Sequence, residues 1–133
     1  MKTIYYCHDQ QSGTDARRSD LEMAGYRVMC FETGGDLMRA IAQEYPDLVL
    51  VDVLLHGKNG FEVCQGMGLN ESLNFPVVLF GGVYSRPSFR EHALSMGITG
   101  FIEATPSPLE LLAEVNRQIR AFAADAGGQA HVA

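Results

Sequence analysis

The sequence predicts an α/β fold, a doubly wound five-stranded parallel sheet with helices on both faces. Three observations carry that prediction. Short runs of aliphatic, aromatic and β-branched residues alternate five times with segments whose apolar residues fall at helical spacing. Leu48-Val49-Leu50-Val51 is an unbroken apolar run bounded by turn residues, the pattern of a strand covered on both sides. The first and third runs end in ionisable groups, His8-Asp9 and Asp52, at the strand edge where sites of open α/β sheets are built.

Each element has a local reason. Thr3 to Cys7 is aromatic and β-branched and reads as the first strand. Ser12 to Ala24 sets Asp15, Arg17, Arg18, Asp20 and Glu22 among Ala16, Leu21, Met23 and Ala24, a helix with a charged outer face, closed by Gly25. Tyr26 to Phe31 is the second strand. Gly34 to Tyr45 is the second helix, with Leu37, Met38, Ile41 and Tyr45 as its stripe, and Pro46 ends it. The third strand closes on Asp52. Asn59-Gly60 opens a third helix carrying Phe61, Cys64 and Met67, which Gly66 and Gly68 weaken by about 0.8 to 1 kcal/mol each relative to Ala, so a short or mobile helix is expected.

Pro76 to Phe80 is the fourth strand, with Gly81-Gly82 at its end, and Ser85 to Met96 is the fourth helix, with Pro87 tolerated in its first turn. After Gly97, Ile98 to Ile102 is the fifth strand. Ser107 to Phe122 is the last helix, with Leu109, Leu112, Asn116, Ile119 and Phe122 as its stripe. Ser107 and Glu110 at its start have the spacing of a capping box. Strand-to-helix alternation without repeats gives right-handed crossovers. Residues 1–122 are then the folded domain, and residues 123–133, with no periodic apolar pattern, a flexible tail or the start of a linker.

Composition excludes several classes. A net charge of −6 without a basic stripe argues against nucleic-acid binding. Nothing approaches a membrane span or a secretory signal, so no membrane partner is expected and the cytoplasm is the expected location. Cys7, Cys30 and Cys64 lack metal-ligand spacing and read as free thiols in a reducing compartment. From position alone, Asp52 serves equally as a functional carboxylate or as the cap of the turn after its strand.

Several stretches resemble the receiver domain of bacterial response regulators, over about Lys2 to Phe122. They are Tyr45-Pro46-Asp47-Leu48-Val49-Leu50-Val51-Asp52, the run from Gly57 to Val63, Pro76-Val77-Val78-Leu79, and Met96-Gly97-Ile98-Thr99-Gly100-Phe101-Ile102. The resemblance implies a flavodoxin-like sheet of strand order 2-1-3-4-5. It makes Asp52 the counterpart of the phosphoacceptor and Phe101 that of the aromatic switch. The family's acid pair falls on His8 and Asp9, so one of the two acids is kept. Its Thr or Ser after strand four falls on Gly81, its Lys after strand five on Ala104, and its Pro four places after the phosphoacceptor on His56.

These departures have physical weight. Mg²⁺ wants hard oxygen ligands, and His8 in place of a carboxylate removes charge and the preferred atom, so no firmly held cofactor is expected. Asp9 and Asp52 could hold a weakly bound Mg²⁺, and His8 suits a softer divalent ion. Losing the hydroxyl at Gly81 and the ammonium at Ala104 forfeits about 2 to 4.5 kcal/mol of hydrogen bonding to a phosphoryl group, roughly a 30- to 2,000-fold weaker bias toward an active state. Phe101 then reads as a fixed, inward-packed residue.

The expectation is a degenerate receiver, or pseudo-receiver, that is not an enzyme and binds a protein partner independently of phosphorylation. By the resemblance, the binding face is the fourth helix, fifth strand and last helix, where Arg86, Arg90, Glu91 and His92 stand, with a homodimer as a further expected state. One alternative is residual Mg²⁺-dependent phosphorylation of Asp52, with Asp9 holding the metal. Another is a small-ligand module on a flavodoxin-like sheet, against which stand the absence of GxGxxG after a strand and Tyr6 and Leu54 where a cobalamin motif needs Asp.

Overall fold

A computed structural model of the chain describes residues 1–8, 14–52, 54–55, 58–59, 75–80, 91, 95, 98, 100–102 and 107–132. Its main sheet has five strands: β1 (Thr3–Cys7), β2 (Arg27–Phe31), β3 (Leu48–Asp52), β4 (Val77–Phe80) and β5 (Gly100–Ile102). They run parallel in the order β2-β1-β3-β4-β5, the order expected. The central strands β1 and β3 are in register from Ile4 opposite Leu48 to Cys7 opposite Val51.

Side chains alternate across the sheet and build two cores. Tyr5, Cys7, Val49, Val51, Val77 and Leu79 pack with Leu37 of helix α2 (Gly34–Gln43) and with Phe75 and Ile98. Ile4, Tyr6, Leu48, Leu50, Val78 and Ile102 pack on the other face with Leu21 of helix α1 (Thr14–Met23) and with Leu111, Val115 and Ile119 of the C-terminal helix, Pro108–Val132. Burying one such side chain contributes about 1.5 to 3 kcal/mol, so the continuous apolar run of β3 holds both layers together.

Helix ends follow local chemistry. Gly25 takes φ +97° after α1, a left-handed turn that favours glycine, and its amide reaches the Glu22 carbonyl at 3.0 Å. The Thr33 hydroxyl accepts from the Asp36 amide at the start of α2, and the Ser107 hydroxyl accepts from the Glu110 amide at the start of the C-terminal helix.

Several features differ from the sequence expectation. Helix α2 stops at Gln43, where the C-cap Glu44 is already extended ahead of Tyr45-Pro46; Tyr45 stands exposed with its ring tilted against Phe75 instead of joining the stripe. Leu54–Leu55 and Lys58–Asn59 form a two-residue antiparallel ladder, so Asn59 lies in a hairpin and does not open a helix.

On the C-terminal helix the buried residues are Leu111, Val115, Gln118 and Ile119, while Leu109 in the first turn is exposed. The stripe is rotated by about one residue from Leu109, Leu112 and Asn116, and it places the strongest apolar side chains against the sheet. The same helix continues past Phe122 to Val132, through the residues 123–132 where an irregular tail was expected. Ala121, Ala123, Ala124, Ala126 and Ala130 have the highest helix propensity of any residue and offset the cost of Gly127-Gly128. The expected third helix lies outside the described residues. Of the fourth, Glu91 and Ser95 are described, both helical and exposed.

Candidate functional site

The site expected at the carboxyl edge of the sheet is built by β1 and β3. Cys7 pairs with Val51, so the next residues, His8 and Asp52, stand side by side at the rim. Both are buried, at 5% and 8% exposure. Alternation puts Asp52 on the face of Leu48 and Leu50, and His8 on the face of Ile4 and Tyr6, so imidazole and carboxylate belong to the layer under α1 and the C-terminal helix.

Backbone geometry fixes His8: its amide donates to the Phe31 carbonyl at 2.9 Å, extending the β1–β2 ladder by one residue. Its ring packs against the Tyr6 ring, centroids 4.6 Å apart and planes tilted by 58°. Tyr6 is fully buried, and its hydroxyl accepts from Arg17 Nη1 of α1 at 3.4 Å. A phenol and a guanidinium therefore lie behind the His8–Asp52 rim. In the sequence Tyr6 reads as part of the first strand and Arg17 as part of the charged outer face of a helix. Strand period two carries the signal: Tyr6 and His8 share a face, as do Leu50 and Asp52.

The electrostatics of the rim reach both cores. Burial pushes the Tyr6 hydroxyl above its ordinary pKa, Arg17 opposes this through its hydrogen bond and charge, and the Asp52 charge adds to the rise. On the opposite face, burial, then Asp52 and Asp36, push the Cys7 thiol up to about 12, which leaves it neutral and unreactive at ordinary pH. Cys30 is half-buried and packs with the Tyr6 layer, so Cys7 and Cys30 lie on opposite faces, and both are free thiols.

Phe101 sits half-buried on β5, paired with Leu79 and packed against the Tyr5–Cys7 core. Behind it, Gly100 leaves room for the C-terminal helix: a Cβ there would meet Gln118 Nε2 at 2.6 Å and Glu114 Oε1 at 2.9 Å. Burial alone would raise the Glu114 carboxyl, but hydrogen bonds from Arg117 and Gln118 and the Arg117 charge outweigh it and hold the group below its ordinary value. Asp9, His56, Gly81 and Ala104 lie outside the described residues.

The family model described as "Response regulator receiver domain" matches residues 4–116. The chain belongs to the response regulator receiver family. Solved receivers share the fold. The chain is 22% identical to a CheY-like receiver domain protein from Methanospirillum hungatei, with a TM-score of 0.82 over 94% of this chain and 98% of that one. It is 29% identical to the BeF3-activated receiver domain of Klebsiella pneumoniae RstA, with a TM-score of 0.77 over 89% and 98%. It also overlays NtrX from Brucella abortus at 19% identity and a TM-score of 0.84, covering 96% of this chain and 29% of that longer one.

This receiver is thus of the two-component signalling type, a family of signalling modules. Of the donors that would hold the family's magnesium, Asp52 offers oxygen and His8 nitrogen. His8 offers nitrogen where a carboxylate is wanted, its ring is packed on Tyr6, and among the described residues no three His, Cys, Asp or Glu side chains cluster as a metal site. No helix among the described residues is long and apolar enough to cross a membrane.

Proposed function

We propose that this receiver acts in the cytoplasm as a docking module whose partner binding does not depend on phosphorylation of Asp52. The observation that carries the reading is the buried imidazole of His8 beside Asp52, where the first acid of the family's pair would stand. A carboxylate there would draw a hard cation and, through it, a phosphoryl group; an imidazole does neither well. Gly81 and Ala104 lack, by composition, the hydroxyl and ammonium that would grip a phosphoryl oxygen. With that grip absent, the differential that drives ligand-dependent switching shrinks.

The partner surface in this reading is the family face formed by the segment around Glu91 and Ser95, strand β5 and the C-terminal helix. Leu109, Glu110, Arg117 and Arg120 are exposed on that helix. The module carries no catalytic residue and no firmly bound cofactor.

Exposure to a small phosphodonor with Mg²⁺, followed by intact mass and amide chemical shifts, tests the reading. The expected result is no stable mass gain and unchanged shifts in residues 85–96. A stable gain on Asp52, accompanied by shifts through residues 85–96, would instead establish conventional phosphorylation.

A further inference from the structure

We infer that the element which senses the charge on Asp52 in this chain is helix α1, reached through the Tyr6 hydroxyl and the Arg17 guanidinium, and not the Phe101 side of the sheet. The inference goes beyond the docking reading and does not rest on it.

Three placements carry it. Tyr6 and Asp52 share one face of adjacent, in-register strands, with Tyr6 opposite Leu50 and Asp52 two residues beyond it. The Tyr6 hydroxyl is tied to Arg17 Nη1, so a buried strand residue is linked by a polar contact to the helix above it. His8 stacks on the same Tyr6 ring, so the imidazole that replaces an acid also reports to this phenol. Burial is the largest influence on the Tyr6 pKa, and beside it the guanidinium lowers and the Asp52 carboxylate raises the value, so both charges act on one hydroxyl.

A coupling element needs two arrangements close in energy. At 3.4 Å the Arg17–Tyr6 contact is longer than the usual 2.7 to 3.2 Å for such bonds, and it is made by a long, half-exposed side chain. Arg17 can therefore give up or shorten that contact at small cost when the charge behind it changes. Charges act strongly there, because Tyr6 and Asp52 lie in a water-poor layer where the effective dielectric is low. Among the described residues, the opposite face beside Asp52 presents the uncharged side chains of Val51, Cys7 and Leu79. Whatever neutralises Asp52, a bound divalent cation included, is then felt on α1 and on the C-terminal helix packed beside it.

The test compares amide spectra of the full chain with those of Asp52→Asn, in the presence and absence of Tyr6→Phe. Removing the Asp52 charge is expected to shift the amides of α1 around Arg17 and the Arg17 Nε–Hε signal. With Tyr6→Phe the α1 response is lost, while the amides of β3 next to position 52 still move. Should Tyr6→Phe not fold, Arg17→Gln, at a half-exposed helix position, replaces it and must abolish the same response. The inference is overturned if Asp52→Asn leaves α1 unmoved, if its shifts run to β5 and Phe101 instead, or if α1 moves equally without the Tyr6 hydroxyl or the guanidinium.

Discussion

On the α2 side the sheet presents Tyr5, Cys7, Val49, Val51, Val77 and Leu79, whereas the side under α1 and the C-terminal helix presents Ile4, Tyr6, His8, Leu48, Leu50 and Asp52. Low in the sheet the two faces are equally dry. Towards the carboxyl edge they part: the first stays apolar up to Cys7 and Val51, and the second turns polar at Tyr6, His8 and Asp52. Even Tyr5, on the apolar side, sends its hydroxyl away from the rim, to the Glu44 carbonyl at 2.9 Å. The difference teaches that, among the described residues, the polar side chains at this edge lie on one face of two adjacent strands, while the other face is apolar core up to Cys7 and Val51.

The largest effects should come from the dry layers. Leu50→Ala and Leu37→Ala, one from each face and both fully buried, should each lower unfolding free energy by about 2 to 5 kcal/mol, measured by urea denaturation. A much smaller loss for Leu37→Ala would break the equivalence of the two cores. An intermediate effect is expected at the helix that covers the polar face. Gly100→Ala forces its methyl group against the Gln118 and Glu114 side chains and should cost about 1 to 3 kcal/mol. Because these are flexible ends, Gln118→Ala in the same chain should recover part of the loss, and strict additivity would show that they are not what Gly100 accommodates.

The smallest effect at neutral pH belongs to Cys7, and it grows with pH. The unfolded thiol titrates near 9.0 and the folded one near 12, so the unfolded chain loses its proton first as pH rises. Stability should be unaffected by this group below about pH 9 and should fall between 9 and 12. Cys7→Val should flatten that alkaline limb. Alkylation at pH 8 should leave Cys7 unmodified until the chain unfolds, and rapid labelling of the native protein would contradict its burial.

Much of the fold was legible because it rests on local pattern. The apolar run Leu48 to Val51 could be read as a strand buried on both faces, Gly25 as a helix stop and Ser107 as a cap, each from chemistry within a few residues. The helix faces were less legible. Leu109 and Leu111 are equally apolar, and what decides between them is where the helix meets Ile102 and Leu50, which spacing alone does not contain. At the site, the adjacency of His8 and Asp52 followed from strand order, since both end neighbouring strands. The inward turn of Arg17 did not follow, because a charged residue on a helix is ordinarily solvated and its partner, Tyr6, looks in sequence like any other strand former.

The pincer at the far end of β1 and β3 has a consequence for how the chain is assembled. Asp47 Oδ2 accepts from the Thr3 amide at 2.7 Å, and the Asp47 amide donates back to the Thr3 carbonyl at 2.8 Å, joining positions 44 residues apart. Of the five strands, the first in chain order is thus an interior plank of the sheet, with one flank left open until the ribosome has delivered the segment that closes it. Until then Ile4 and Tyr6 have only Val28 and Cys30 alongside, so the flank that Leu48 and Leu50 later cover stays unpaired.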